Sequence, residues 1–112
     1  MRYCLALDLK GRPDLIEAYK AHHAPGAVWP EITRSIREAG ISDMEIYLTG
    51  NRLFMIMETS DAFSFEQKAS MDAANPKVQE WEALMSSFQQ ALPWAEEGQK
   101  WVPMEQIFKL GQ

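Results

Sequence analysis

The sequence predicts one α+β domain in which helices cover one face of an antiparallel sheet. Apolar runs of strand length occur near the start, the middle and the end of the 112-residue chain, with helical patterns between them. The order is strand, helices, strand, strand, helices, strand. This is the split β-α-β arrangement, so we expect a ferredoxin-like fold with a four-stranded antiparallel sheet. A chain of this length is expected to form a single domain over residues 1–112.

The first strand and the first helix are predicted by an apolar run and two prolines. Residues Tyr3 to Leu9 are short and apolar, which is typical of a largely buried strand. Pro13 suits the first position of a helix, and Pro25 disfavours the helical conformation of the residue before it. The helix is therefore expected to begin near Pro13 and to end before Pro25.

The middle of the chain predicts a β-hairpin. Met44 to Thr49 and Arg52 to Thr59 flank Gly50-Asn51, a dipeptide that tolerates positive φ and suits a two-residue turn. In the second of these strands, successive residues leave opposite faces, and neither set is polar. A sheet that is apolar on both faces needs cover on each, and the helices serve only one. We therefore expect a homodimer packed sheet to sheet, with the pocket near the interface.

Caps and helix breakers predict three further helices and a last strand. Ser or Asn before a helix accepts backbone hydrogen bonds, whereas Gly and Pro end helices. The expected elements are a helix from Trp29-Pro30-Glu31 to Gly40, a short helix from the capping box Ser64-x-x-Gln67, a longer helix from Asn75-Pro76 to Pro93, and a strand from Trp101 to Leu110.

Composition and charge exclude several classes of function. The net charge of −5, without a cluster of Lys or Arg, argues against nucleic acid and anionic membrane as partners. No apolar run approaches the length of a membrane span, and the first residues lack the pattern of a signal peptide. The single cysteine, Cys4, cannot form an internal disulfide. We therefore expect a soluble protein of the reducing cytoplasm.

The segment from Tyr19 to Glu31 contains both histidines of the chain, so chemistry near neutral pH is expected there. Tyr19 and His23 are four residues apart, which places them on one face of the last helical turn. His22 points about 100° away on the helix, so both histidines are not expected to serve one site. Adjacent histidines rarely ligate one ion, and no metal site is expected. A histidine here can also be a helix-terminal residue without a catalytic role.

Trp81 is the second candidate for a functional residue. At helical spacing a tryptophan is usually part of the core, but its ring can also stack on the C–H face of a sugar. The apolar stripe to which it belongs consists of Val78, Trp81, Met85 and Phe88.

Taken in order, these motifs resemble the L-rhamnose mutarotase family. They are Tyr-x-x-x-His, Pro and then Trp-Pro-Glu, Ile-Tyr-Leu and Leu-Phe-Met-Ile-Met-Glu across the hairpin, and Trp-x-x-x-Met in the late helix. The match runs from Tyr3 to Leu110. The resemblance implies a dimeric ferredoxin-like α/β barrel that interconverts the α and β anomers of a 6-deoxy-L-hexose without a cofactor. It also implies that His23 is the proton donor and that Tyr19 contacts the sugar.

Two positions depart from the family's pattern. Glu82 follows Trp81 where the rhamnose enzymes have a second tryptophan, and Met44 stands where they have a tyrosine. Such changes alter which hydroxyl groups a pocket can bond. We expect Trp81 to form an apolar wall against the pyranose and Glu82 to accept a hydrogen bond from a ring hydroxyl, with Met44 also at the sugar site. The expected substrate is therefore L-rhamnose or L-fucose.

Two other functions remain open on the sequence alone. A ferredoxin-like monooxygenase that works without metal or flavin would act on quinol-like aromatics in an apolar site. A dimeric ligand-binding module would carry out no reaction, and its histidines would merely cap a helix. Mutarotation needs one proton removed from the anomeric hydroxyl and one delivered to the ring oxygen. A histidine with a pKa of about 6.5 can do both near pH 7, so this function is preferred.

Overall fold

A computed structural model describes residues 1–111, which form an antiparallel sheet with helices packed on one face. None of the described helices is long and apolar enough to cross a membrane. The elements are β1 (Arg2–Leu9), α1 (Pro13–His22), α2 (Pro30–Glu38), β2 (Ile41–Thr49), β3 (Arg52–Thr59), α3 (Phe65–Ala73), α4 (Pro76–Ser86), β4 (Gln89–Gln90) and β5 (Val102–Pro103).

The strand order confirms the predicted ferredoxin-like fold. The sheet runs β2-β3-β1-β4, and every described pair is antiparallel. The fourth position is shared, because β4 pairs with Asp8 and Leu9 of β1 while β5 pairs with Leu5 and Ala6 of the same strand. Two short pieces therefore replace the single edge strand that the sequence predicts.

The local signals in the sequence account for most element boundaries. Pro13 and Pro30 occupy the first turns of α1 and α2. The Ser64 and Asn75 side chains accept hydrogen bonds from backbone amides in the first turns of α3 and α4. The hairpin turns at Gly50, whose φ of 58° is one that glycine adopts without strain.

The end of the chain differs from the prediction in two places. The helix predicted to reach Pro93 ends at Ser86, because Lys10 N–H donates a 2.9 Å bond to the Phe88 carbonyl and the chain then pairs with β1. The strand predicted from Trp101 to Leu110 is reduced to Val102–Pro103. Beyond Pro103 the Met104 N–H still donates a 2.7 Å bond to the Cys4 carbonyl, and the described residues after it form no strand.

The two faces of the sheet differ in cover. Leu53 and Met57 of β3 are 2% and 3% exposed and point toward the helices, on what we call the covered face. Phe54 and Ile56 point the other way, on what we call the open face, and are half-buried. The open face also carries Cys4, Ala6, Tyr47 and two ion pairs, Arg2 with Glu58 and Asp8 with Arg52.

Candidate active site

The C-terminal end of α1 brings Tyr19 and His23 together, as their spacing predicts. Tyr19 is buried, and its ring centroid lies 4.4 Å from that of His23, with the two planes inclined at 31°. His23 is the C-cap of the helix and is half-buried. The imidazole is therefore held between the helix end and the hydrophobic core.

A hydrogen bond determines which nitrogen of His23 is free. Nδ1 lies 2.7 Å from the main-chain carbonyl oxygen of Tyr19. A carbonyl oxygen only accepts, so Nδ1 is the donor and carries the proton in the neutral ring. The lone pair of that neutral ring is then on Nε2, which is the nitrogen available for proton transfer.

The surroundings of His23 favour its neutral form. Burial lowers the pKa of His23 below its ordinary value of 6.5, and the nearby His22 lowers it further, while the hydrogen bond to the Tyr19 carbonyl opposes both effects. Burial has the opposite effect on the phenol, since it raises the pKa of Tyr19 above 10.0, against a smaller lowering by Gln89. At pH 7 the pair is thus a neutral imidazole beside a protonated hydroxyl.

Trp81 lies against both histidines. Its ring centroid is 5.6 Å from that of His23 and 6.4 Å from that of His22, and Trp29 packs on it at 5.1 Å. Both histidines therefore contact one indole ring, and His23 leaves the helix as a cap with φ of −107° and ψ of 3°. The expectation that only one of them serves the site stays a prediction.

Gln89 is a neighbour of the site that the sequence prediction did not include. Its Nε2 donates a 3.3 Å hydrogen bond to the hydroxyl of Tyr19. The available signal was its position four residues after Met85, where it continues the apolar stripe of α4 with a polar side chain. A polar residue on a buried stripe requires a partner, and that partner is Tyr19.

The remaining predicted residues, Glu82 and Met44, lie in different surroundings. Glu82 follows Trp81 in α4 and is half-buried, and its main-chain carbonyl accepts from Ser86 Oγ and Lys100 Nζ. Met44 packs against the cluster of Leu5, Ile41 and Met57. It is not among the hydrophobic residues that pack on the cluster with Tyr19 and Trp81, so the structure does not bring it to the His23 ring.

Two cavities lie beside β1, and neither is lined by His23. One, of about 300 Å³, lies on the open face and includes Arg52, Phe54 and Trp94. The other, of about 250 Å³, adjoins the site through Gln89. It is lined by Leu7, Ser86, Gln89, Gln90, Ala91, Gly98, Gln99 and Lys100.

Among residues 1–111, no group of three or more His, Cys, Asp or Glu side chains is placed to hold a metal ion.

Comparison with known proteins identifies the family of the chain. A family model described as L-rhamnose mutarotase matches residues 2–110. The chain is 42% identical to an L-fucose mutarotase of Xanthomonas campestris pv. campestris, with 99% of this chain and 89% of that protein covered. It is 29% identical to an L-rhamnose mutarotase of Sinorhizobium fredii, with 94% and 95% covered. A solved L-rhamnose mutarotase of Formosa agariphila shares its fold, with a TM-score of 0.70, 23% identity and 98% of both chains covered. The chain therefore belongs to the L-rhamnose mutarotase family.

Proposed function

We propose that this protein interconverts the α and β anomers of a 6-deoxy-L-hexose by general acid–base catalysis at His23. Membership of the family and 42% identity to an L-fucose mutarotase support the reaction class. The observation that carries the choice of residue is the hydrogen bond between His23 Nδ1 and the Tyr19 carbonyl. It leaves Nε2 of a neutral ring to exchange a proton with the substrate.

One histidine is enough because the same proton is taken up and returned. Nε2 of His23 removes the proton from the anomeric hydroxyl, and the oxyanion becomes the aldehyde as the bond between C1 and the ring oxygen breaks. The imidazolium then gives the proton to the former ring oxygen. Rotation about C1–C2 and reversal of these steps closes the ring on the other face of the aldehyde. No proton, electron or water is consumed.

The lowered pKa of His23 suits the first of these steps. A base must be unprotonated when the substrate binds, and at pH 7 the imidazole is neutral. Spontaneous mutarotation is already fairly fast. General acid–base catalysis of about 10² to 10⁴-fold is therefore a sufficient contribution from one side chain.

The other side chains are proposed to orient the sugar. Tyr19 keeps its proton and can donate a hydrogen bond to a sugar oxygen. Trp81 is proposed as an apolar wall for the C–H face of the pyranose, beside the His23 ring. Glu82 is proposed to accept from a ring hydroxyl. A contact of Met44 with the same sugar would require the site to extend to the cluster against which Met44 packs.

L-fucose is the proposed preferred sugar. The identity to a protein named L-fucose mutarotase is 42%, against 29% to a protein named L-rhamnose mutarotase. Glu82 is consistent with a sugar other than L-rhamnose, because it departs from the pattern of the rhamnose enzymes beside Trp81 and such a change alters which hydroxyls are bonded. The monooxygenase and the non-catalytic module are not favoured, since neither explains the match of the family model over residues 2–110.

A homodimer formed through the open face is part of the proposal. Phe54, Ile56 and Tyr47 give this face an apolar centre, and Tyr47 is 54% exposed. Ion pairs lie at its ends, and an apolar centre with a polar rim is the usual composition of an interface. The segment 104–111, which follows β5, adds exposed apolar side chains that a second copy would cover. They are Ile107, Phe108 and Leu110, at 88%, 70% and 87% exposure.

A cytoplasmic role in carbohydrate metabolism completes the proposal. The lone thiol of Cys4 is free and half-buried, which suits a reducing compartment. A sugar-interconverting activity in that compartment would supply the anomer that a later enzyme uses.

The test is exchange between anomers, measured by saturation-transfer NMR with L-fucose and L-rhamnose and with D-glucose as control. We expect exchange of at least one deoxy sugar to exceed the buffer rate, and that of D-glucose to remain near it. Absence of enhanced exchange for every sugar would refute the proposed activity.

A further inference from the structure

One buried polar side-chain atom among the described residues has no hydrogen-bond partner, and it is the carbonyl oxygen Oε1 of Gln89. The other end of the same carboxamide is anchored, since Nε2 donates to the Tyr19 hydroxyl. Buried acceptors are almost always satisfied in native proteins, and the exceptions occur where a ligand or a water completes them. The unpaired oxygen thus indicates a binding position next to Tyr19.

The bond between Gln89 and Tyr19 determines what the pair offers to a ligand. Because Nε2 donates, the Tyr19 oxygen is the acceptor and its own proton remains free to be donated. Gln89 Oε1 offers an acceptor beside that donor. One donor and one acceptor side by side complement two hydroxyl groups on neighbouring carbons, the pattern that a pyranose presents.

Gln89 also connects the aromatic cluster with a cavity. It lies at the start of β4 and lines the cavity of about 250 Å³ beside β1, together with Leu7, Ser86 and Lys100. Tyr19, which Gln89 contacts, stacks in turn on His23. Most of the residues that line this cavity are polar, and their side chains can form hydrogen bonds with the hydroxyl groups of a sugar.

We infer that Gln89 binds a hydroxyl group of the sugar, so that the pyranose extends from the cavity beside β1 toward Trp81, with the anomeric carbon toward His23. The inference rests on the proposed function, which supplies the class of substrate. Oε1 is closed from solvent, so sugar binding must move part of the cavity wall. The wall includes the segment 98–100, which is attached to α4 by hydrogen bonds from Lys100 Nζ to Ser86 Oγ and to the Glu82 carbonyl.

The first test is Gln89→Met, which keeps the length of the side chain and removes its hydrogen bonds. We expect kcat/KM for the preferred deoxy sugar to fall about tenfold, the size of one uncharged hydrogen bond, with KM raised. The NMR titration of His23 should stay unchanged, because the imidazole keeps its bond to the Tyr19 carbonyl. The matched control is Gln67→Met, at an exposed position of α3. It should leave kcat/KM and the His23 titration unchanged. A Gln89→Met enzyme with wild-type kinetics would overturn the inference.

The second test measures sugar binding independently of catalysis. The Gln89 side-chain NH₂ resonances, assigned by their loss in Gln89→Met, should shift when L-fucose or L-rhamnose is added to the wild-type protein. The Gln67 resonances should not move. If the amide shifts but no anomer exchange is accelerated, the result supports the proposed sugar subsite and refutes the proposed mutarotase activity. If the amide fails to shift at saturating concentrations of both sugars, the inference is overturned whether or not exchange is accelerated.

Discussion

Neighbouring residues of β3 lie in two different regions of the molecule. Met57 is 3% exposed within the core under the helices, whereas Ile56 faces the side of the sheet that carries no helix. Both faces are apolar at their centres, yet only the covered face holds the aromatic cluster with His23. The difference teaches that alternation alone does not separate a covered face from an open one. Cover by the helices gives one face the proposed site, and its absence leaves the other as the proposed surface for assembly.

The two tryptophans Trp81 and Trp94 show the same contrast. Trp81 is 8% exposed and packs against His22, His23 and Trp29. Trp94 is 62% exposed on the open-face side, and its ring lies 5.1 Å from the guanidinium of Arg52. The same side chain thus belongs to the core in one place and to an exposed cation–π contact in the other.

The largest expected effect on activity follows removal of His23. His23→Ala should lower kcat/KM by about 10² to 10⁴-fold, because it removes the proton-transfer group. His22→Ala is the matched control and should retain most activity, although the ring of His22 also meets Trp81. Exchange NMR measures both variants, and circular dichroism verifies their folds. Equal losses in the two would contradict the assignment to His23.

Replacing each of these two tryptophans by alanine should change the stability of the protein to a different extent. Trp81→Ala should lower the free energy of unfolding by about 3–5 kcal/mol, because it leaves a large cavity in the core. Trp94→Ala should cost about 1 kcal/mol or less, as expected for a cation–π contact at an exposed position. Denaturant unfolding at one fixed protein concentration provides the comparison. Similar losses would show that the two faces contribute alike.

Charges placed on the two faces of β3 should separate assembly from folding. Ile56→Lys should keep the helical circular dichroism and reduce the mass measured by light scattering from two chains to one, because the charge lies on the open face. Met57→Lys should instead unfold the chain, since it buries an unpaired ammonium. A wild-type protein that is monomeric at micromolar concentration would contradict the proposed dimer.

The smallest expected effect concerns sugar choice. Glu82→Gln weakens one acceptor and should change the ratio of the L-fucose and L-rhamnose exchange rates by about 2- to 10-fold. Glu82→Trp, which restores the aromatic pair typical of the rhamnose enzymes, should shift the ratio toward L-rhamnose. A ratio that both variants leave unchanged would make Glu82 a solvated charge on α4.

The extent to which the sequence predicts the molecule depends on the range of the forces involved. The prolines, the Ser64 and Asn75 caps and the Gly50 turn act within a few residues, so the boundaries they predict are confirmed. The end of α4 was predicted too late because pairing of Gln89–Gln90 with β1 is a contact between distant segments. Local patterns do not contain that information.

In the candidate site, too, local spacing was predictable and contacts between distant segments were not. The pairing of Tyr19 with His23 depends on helical spacing and was predictable, whereas the approach of both histidines to Trp81 depends on the cap geometry of His23 and on the position of α4. Gln89 was missed because the predicted helix ran past it. The unpaired state of its oxygen is visible only in three dimensions.

The most direct test of the central claim is the pH dependence of anomer exchange beside the NMR titration of the two histidines. Burial lowers the pKa of His23 below 6.5, and the neutral ring is the active base. We therefore predict that kcat/KM rises with pH, with a midpoint below 6.5 that coincides with the titration of the His23 resonance, and stays level at pH 7 and just above. A midpoint that follows His22, or a rate that falls as the pH rises through this range, would contradict proton transfer by neutral His23.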